Sequence, residues 1–387
     1  MLFKRMFNIG FALIIISAVL LGCAPAAEEP GEIEEEEIEE VVIGVYEPMT
    51  GAQAAGGVQT MQGVDLAYAQ KDEVLGTPIK MVLVDNRGDK AESATAMTRL
   101  IEQENAIAVV GSYGSSNSMA GGEVSEAAGV PVMGCSPTNP LVTEGKEYYF
   151  RACFIDPFQG RVMAKYATEQ GIEKIAIIQN ISQDYSVGLA AFFKQSWIEL
   201  TGSEEGIVSE TSYQDGDQDF TAQLSDIGDA EAIFAPGYYG DAALLMKQAR
   251  EMGFTGLFMG TDAWEAPELV DIGGSAAEGA VFSSHYSAEA ATTPASAPFV
   301  EAFQAEYGEA PSAMAALGYD AYMLVIDAIE RAGSFDRDAI RDAMATTENF
   351  EGVTGYITIN ETGDAVKDAV VLEVRDGEFK YISTVSP

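Results

Sequence analysis

The stretch "AIAVVGSYGSSNSMAGGEVSEAAGVPVMGCS", Ala106 to Ser136, runs from an apolar strand through a glycine- and serine-rich loop into a helix and out into a second strand. "AIAVVGS" and "VPVMGCS" have the apolar, β-branched composition of buried strands, and "SNSMAGGEVSEAAG" between them reads as helix. A strand, a helix and another strand in this order belong to a mostly parallel sheet with helices on its faces. The loop then lies at the carboxyl end of a strand, where open α/β sheets bind ligands. Glycines let backbone N–H groups approach a ligand, and the following helix aims its positive end at the same place, which makes an anion cradle. Neither G-x-x-x-x-G-K-[ST] nor G-x-G-x-x-G is present, so the anion is smaller than a nucleotide.

The alternation continues in both directions. Upstream lie the strand "VVIGVYE", helical spacing in "GGVQTMQGVDLAYAQKDEVLG", the strand "IKMVLVDNRGD" and the amphipathic helix "KAESATAMTRLIEQEN". Downstream, "YYFRACFIDPFQG" breaks the pattern, with Asp156 placed to cap a helix that begins at Pro157. Strands then recur in "KIAIIQN", "GIVSETSY", "AEAIFAPG", "GLFMGTD" and "GAVFSSHY", separated by helical segments such as "SVGLAAFFKQSWIELTG" and "GDAALLMKQAREMG". Two more helices, "APFVEAFQAEYG" and "AMAALGYDAYMLVIDAIERAG", precede the closing strands "GYITIN" and "AVVLEVRDGEFKYIST". Two α/β lobes follow from this pattern and from a body of ~345 residues, more than one core usually sustains.

At the N-terminus, Lys4 and Arg5 precede an apolar run, Phe7 to Leu21, that ends at "LLGC", the pattern of a secretory signal over residues 1–22. Gly22–Cys23 resembles the lipobox of bacterial lipoproteins, in which the cysteine becomes the first mature residue and carries lipid. The block from Cys23 to Glu40 holds nine Glu and no basic residue and reads as a solvated tether. With a formal net charge of −40, the chain lacks the basic surface that nucleic acid requires. Apart from Cys23 only Cys135 and Cys153 remain, able to form one bridge in an oxidising compartment or to stay as buried thiols.

The chain resembles the branched-chain amino-acid binding proteins of bacterial ABC importers, with the type I periplasmic-binding-protein fold shared with the ligand-binding domains of glutamate receptors. The residues that carry the resemblance are "GVYEPMTGAQAAGG", "VVGSYGSSNS", "SPTNPLVT", "YYFRACFIDPFQG", "APGYYGDAALLMKQAREMGF", "FMGTDAWEAPEL" and "ALGYDA", in the family's order. It implies two doubly wound, Rossmann-like lobes joined by three crossings, near Ala152–Asp156, Phe282–Tyr286 and Asn360–Gly363. Lobe one is then 41–154 plus 286–361, and lobe two 155–285 plus 362–387. It also implies an amino acid held in the interlobe cleft, hinge closure on it, delivery to permease subunits, a lipid anchor on Cys23 and a monomeric protein without cofactor or metal.

An amino acid needs donors for its carboxylate, an acceptor for its ammonium and a wall for its side chain. By the resemblance, Ser115 and Thr138 donate to the carboxylate, the Ser136 carbonyl accepts from the ammonium, and Asp262 is the ammonium's counter-charge. The alternative for Asp262 is a helix cap for "AWEAPELV", which Asp serves well. Tyr185 and Tyr238 reach across from lobe two, or else belong to the scaffold. Gly56 replaces the family's bulky aromatic and so predicts a wider pocket, in which a larger apolar or aromatic amino acid is as plausible as leucine, with Met314 and Trp264 as wall or ordinary core.

An enzyme is the rival class. His285 is the only histidine and lies in a predicted crossing strand, where a structural or hinge role fits better than chemistry; no G-x-S-x-G elbow or metal-ligand spacing occurs. A sensor lipoprotein that binds the same ligand without transport would share all of these residues.

Overall fold

The computed structural model describes residues 39–290 and 293–387, so the signal, Cys23 and nearly all of the acidic tether lie outside the described residues. The first half of the chain builds a six-stranded sheet in the order β2-β3-β1-β4-β5-β6. Its strands are β1 (Val41–Glu47), β2 (Glu73–Val74), β3 (Thr77–Asp85), β4 (Ala108–Val110), β5 (Val132–Gly134) and β6 (Tyr149–Arg151). All pair in parallel except β2 with β3. Between them run α1 (Ala54–Gln70), α2 (Lys90–Glu102) and α3 (Ser115–Ala128).

The second half begins with α4 (Asp156–Glu169) and builds a seven-stranded sheet in the order β16-β15-β11-β10-β9-β7-β8. Its parallel part comprises β7 (Ile175–Asn180), β8 (Ile207–Tyr213), β9 (Ala232–Phe234), β10 (Leu257–Gly260) and β11 (Val281–Ser284). The helices α5 (Asp184–Thr201), α6 (Thr221–Ser225), α7 (Tyr239–Glu251) and α8 (Pro267–Gly273) connect them. After β11 come α9 (Ser296–Tyr307), α10 (Ala313–Ala332) and α11 (Arg337–Ala345). A small sheet of β12 (Phe350–Gly352), β13 (Gly355–Ile359) and β14 (Ala365–Val366) follows. The hairpin of β15 (Ala369–Arg375) and β16 (Glu378–Val385) then joins the second sheet antiparallel to β11.

The parallel strands are legible as apolar runs because helices cover both faces of such sheets; β1 buries every residue but Val42, which is half-buried. Helix α10 lies directly on α1, and glycines make that approach possible. A Cβ on Gly63 would stand 1.7 Å from the Ala315 carbonyl oxygen, and one on Gly318 would stand 2.2 Å from that of Thr60. Caps hold the outer helices: Asp89 accepts from the Ala91 and Glu92 amides at 2.8 and 3.0 Å, and Ser312 from that of Ala315 at 3.2 Å.

Several expectations change. The helical reading through Gly76 stops at Gln70, because Leu75 and Gly76 take φ of 52° and 80° and close a two-residue hairpin between β2 and β3. Asp156 is not a cap: Ile155 holds that position, and the Asp156 carboxyl is buried beside the Thr138 side chain. Burial raises its pKa well above the carboxylate range, with the Thr138 hydroxyl opposing. Helix α11 and the short strand β6 were not anticipated. Cys135 and Cys153 are free, buried thiols.

Candidate functional site

Between the two sheets Tyr113, Ser115, Ser136, Tyr185, Tyr238, Asp262 and Ala263 line a small, nearly filled cavity of about 10 Å³. Five of these are residues singled out from the sequence. Each reaches the cavity from the end of a strand or the start of a helix, the place where a parallel sheet leaves side chains and helix N-termini converging.

On the first-sheet side, Ser115 is the opening residue of α3, whose cap position is Gly114 and has no side chain to occupy the free N–H groups. The Ser115 hydroxyl accepts the Asn139 amide at 3.1 Å, which leaves its own proton to donate into the cavity. Ser136 donates its hydroxyl to the Tyr113 carbonyl at 3.2 Å. The loop that carries Ser136 is pinned by Arg151, fully buried, whose guanidinium donates to the Pro137 and Asn139 carbonyls at 2.7 and 2.8 Å and pairs with Asp364 at 2.7 Å. Glu47 in turn accepts the Tyr113 amide at 2.8 Å. Burial pushes the Glu47 carboxyl up to about 8, against the pull of that amide and the Cys135 thiol.

On the second-sheet side, Asp262 follows β10 and is 3% exposed. Its Oδ1 accepts from Gln159 at 2.6 Å and from the Tyr185 hydroxyl at 2.7 Å, and its Oδ2 faces His285 Nε2 at 3.0 Å. Burial pushes this carboxyl up, but His285, Tyr185 and Gln159 outweigh it and hold it below the usual carboxylate range. Burial lowers the pKa of His285, with Asp262 opposing; because a carboxylate only accepts, Nε2 carries the proton of this contact. Asp262 therefore stays ionised and keeps lone pairs on Oδ2 for a further donor. Tyr185 and Tyr238 stand with ring centroids 5.6 Å apart, and Tyr113 faces Tyr238 at 5.7 Å, forming an aromatic wall across the two halves.

Direct contacts bring the halves together around the cavity. Lys90 pairs with Asp184 at 2.6 Å, Ser116 donates to Asp184 at 3.1 Å, and Asn139 donates to the Asp184 carbonyl at 2.9 Å. Tyr239 donates to the Ala52 carbonyl at 2.9 Å.

Four expected site residues are not among the cavity's lining. A Cβ on Gly56 would fall 2.4 Å from the Tyr113 ring, so this glycine makes room for Tyr113 and opens no pocket. Trp264 is fully buried in the second core against Phe282, folded over Gly260, whose Cβ would stand 2.1 Å from the indole. Met314 is 1% exposed among apolar residues at the start of α10. Thr138 is fully buried beside Asp156. Conversely, sequence reasoning missed Tyr113, although it sits inside "GSYGSS", and missed Gln159, Arg151 and the contact of His285 with Asp262. An aromatic within a glycine loop was the one available signal.

The cavity thus offers hydroxyl and helix-end donors on one side and an ionised carboxylate on the other. Among the described residues no cluster of three metal-ligating side chains converges.

A family model described as periplasmic binding protein matches residues 40–378. A Leu/Ile/Val-binding protein homologue of Brucella abortus is 28% identical over 353 residues, 88% of this chain and 93% of the relative. A leucine-binding protein of Thermotoga maritima superposes with a TM-score of 0.87 at 43% identity, covering 90% of this chain and 99% of the other. A branched-chain amino-acid transporter substrate-binding protein of Streptococcus pneumoniae, in complex with isoleucine, does so with a TM-score of 0.84 at 31% identity, covering 90% and 100%. The chain belongs to the periplasmic binding protein family, whose two-lobed α/β fold it shows, and its relatives are solute-binding proteins of ABC transporters rather than enzymes.

Proposed function

We propose that the chain captures an amino acid with an aliphatic side chain between its two halves and delivers it to the permease of an ABC importer. The observation that carries this is the pairing of opposites in one cavity: the ionised Asp262 carboxylate on one side, and the Ser115 hydroxyl at the uncapped start of α3 on the other. A zwitterion satisfies both. Its ammonium approaches Oδ2 of Asp262, and its carboxylate takes the α3 donors, where the helix dipole favours negative charge. A plain carboxylic acid would meet Asp262 with like charge.

With about 10 Å³ free, room for no more than a water molecule and far below the ~300 Å³ at the small end of ligand sites, the halves must part to admit an amino acid. Tyr113 fills what Gly56 leaves, which favours a compact, aliphatic side chain. The ligand named for the Streptococcus relative, isoleucine, fits this reading. The lobes would be 41–154 plus 286–361 and 155–285 plus 362–387; sheet membership agrees with these bounds, save that β14 at 365–366 pairs back to β13. Hinge bending between them would admit and release the ligand. The chain works outside the cytoplasm, as its family does, as a monomer tethered by lipid on Cys23; in a Cys23→Ser variant the protein moves from the membrane to the soluble fraction.

Titration calorimetry with each of the twenty amino acids tests the ligand. Leucine, isoleucine or valine at 100 times its dissociation constant should add about 2.7 kcal/mol to stability. Benzoate, a carboxylate without ammonium, should add nothing. Tight binding of benzoate with no response to any amino acid would refute the reading.

A further inference from the structure

We propose that a second cavity, beside the crossover at Tyr286, is a binding site for a small organic amine. It measures about 400 Å³, within the range of small-molecule sites, and shares no lining residue with the Asp262 cavity. Its walls come from α1, the segment after β11, the turn into α10, and the β15–β16 hairpin.

Two polar atoms in the wall have no hydrogen-bond partner within the protein. One is the hydroxyl of Tyr286, a residue 2% exposed, and the other is Oε1 of Gln59. Both accept hydrogen bonds, and buried polar groups are seldom left unpaired without a reason. Around the mouth stand Glu289, which adds to the negative charge felt by Lys380, and Glu309, which makes no ion pair among the described residues. The only cationic lining residue, Lys380, is tied to Glu378. Beneath them Glu265 adds a buried carboxyl whose oxygens already accept from the Ala313 amide at 2.8 Å and from the Ser284 hydroxyl.

Acceptors and carboxylates without free cations select a positively charged donor. A metal ion is disfavoured, because no cluster of three ligating side chains converges among the described residues. An ammonium on a short hydrocarbon chain suits the rest of the wall, where Phe303, Leu372 and Phe379 offer apolar surface. Gln59 belongs to the half built on the first sheet, Glu265 and Phe379 to the half built on the second. A molecule touching all three favours this juxtaposition of the halves. It follows, on the proposed amino-acid function, that amine and amino acid raise each other's affinity by one common factor.

The test titrates putrescine into the full chain at low salt, without amino acid, by calorimetry. One saturable site is expected, weakened about tenfold by Tyr286→Phe, which removes only the hydroxyl. The Glu289→Gln, Glu309→Gln double variant should also weaken it, with melting temperatures of the amine-free variants unchanged. Absence of saturable heat at millimolar putrescine overturns the proposal. So does equal affinity in Tyr286→Phe and Gln59→Leu, or one-for-one displacement of putrescine by leucine. Leucine is titrated into the same preparation: if putrescine binds and leucine does not, the amine site stands and the amino-acid reading falls, and the converse result removes only the amine site.

Discussion

Two aspartates stand in nearly the same local sequence, Asp262 in "TDAW" and Asp320 in "YDAY", and both are buried, yet their surroundings differ in kind. Asp320, midway along α10, is held by a turn of the small sheet: the Val353 and Thr354 amides donate at 2.7 and 2.9 Å and the Thr354 hydroxyl at 2.6 Å. Burial raises its pKa, with the nearby Lys367 and these donors opposing. Asp262 takes no comparable backbone clamp. Its donors are the side chains of Gln159 from α4, Tyr185 from α5 and His285 after β11. Backbone donors close a carboxylate into the scaffold, because the chain path fixes them. Side chains converging from three elements can orient a carboxylate and still leave one edge open to a ligand.

The largest effect that separates the two is expected at Asp320. Asp320→Ala leaves three buried donors of Val353 and Thr354 without an acceptor and removes the negative charge near Lys367, whose own pKa burial lowers to about 8, and should cost about 3 to 5 kcal/mol of stability in urea denaturation. Leucine affinity of the folded fraction should stay within twofold; a large loss would make Asp320 part of the ligand site. Asp262→Ala should do the reverse, weakening leucine binding by about 2 to 5 kcal/mol in calorimetry. Its stability loss should be smaller, about 1 to 3 kcal/mol for the unpaired donors left behind. An affinity within threefold of the parent would erase the distinction.

Glu47 lies between these cases, with Oε2 on the Tyr113 amide and the Cys135 thiol as a further polar neighbour. Its carboxyl is raised from 4.5 to about 8, so the folded chain keeps a proton that the unfolded chain releases as pH climbs from 4.5. Stability is therefore lost progressively across that window and levels off above pH 8. Glu47→Gln should gain on the parent by about 1 to 3 kcal/mol between pH 5 and 8 in denaturant titrations; parallel pH profiles would show that Glu47 is ionised throughout. The smallest change expected is Tyr185→Phe, about 1 kcal/mol in leucine affinity. Removing that hydroxyl raises the Asp262 pKa, so the acid-side loss of binding should move to higher pH than in the parent. An unmoved profile would mean that Tyr185 does not tune Asp262.

Strands and most helices could be read from the chain because both sheets are covered by helices, which makes their strands continuous apolar runs such as "VVIGVYE" and "KIAIIQN". The hairpin at Leu75–Gly76 escaped, since leucine is a poor marker for a positive φ. Helix α11 escaped despite its cap, Asp336, accepting the Ala339 amide at 3.0 Å, and despite Ile340 and Met344 on one face. Of the cavity's lining, Ser115, Ser136, Tyr185, Tyr238 and Asp262 could be picked out from the chain because each sits at a strand end or helix start in a recognisable motif. At Gly56 the missing side chain says nothing about what fills the space; Tyr113, 57 residues away, does.

By itself the sequence determined the α/β alternation, the family and the loops from which the cavity is built, because these depend on local composition and order along the chain. Only the tertiary structure decided which aspartate faces the cavity and which is clamped in the scaffold, that Trp264 and Met314 are core, and that Tyr113 narrows the pocket. Those outcomes depend on groups distant in sequence meeting in a dry interior. There the number and kind of hydrogen-bond donors around a carboxyl, which local sequence does not encode, set both its charge and its role.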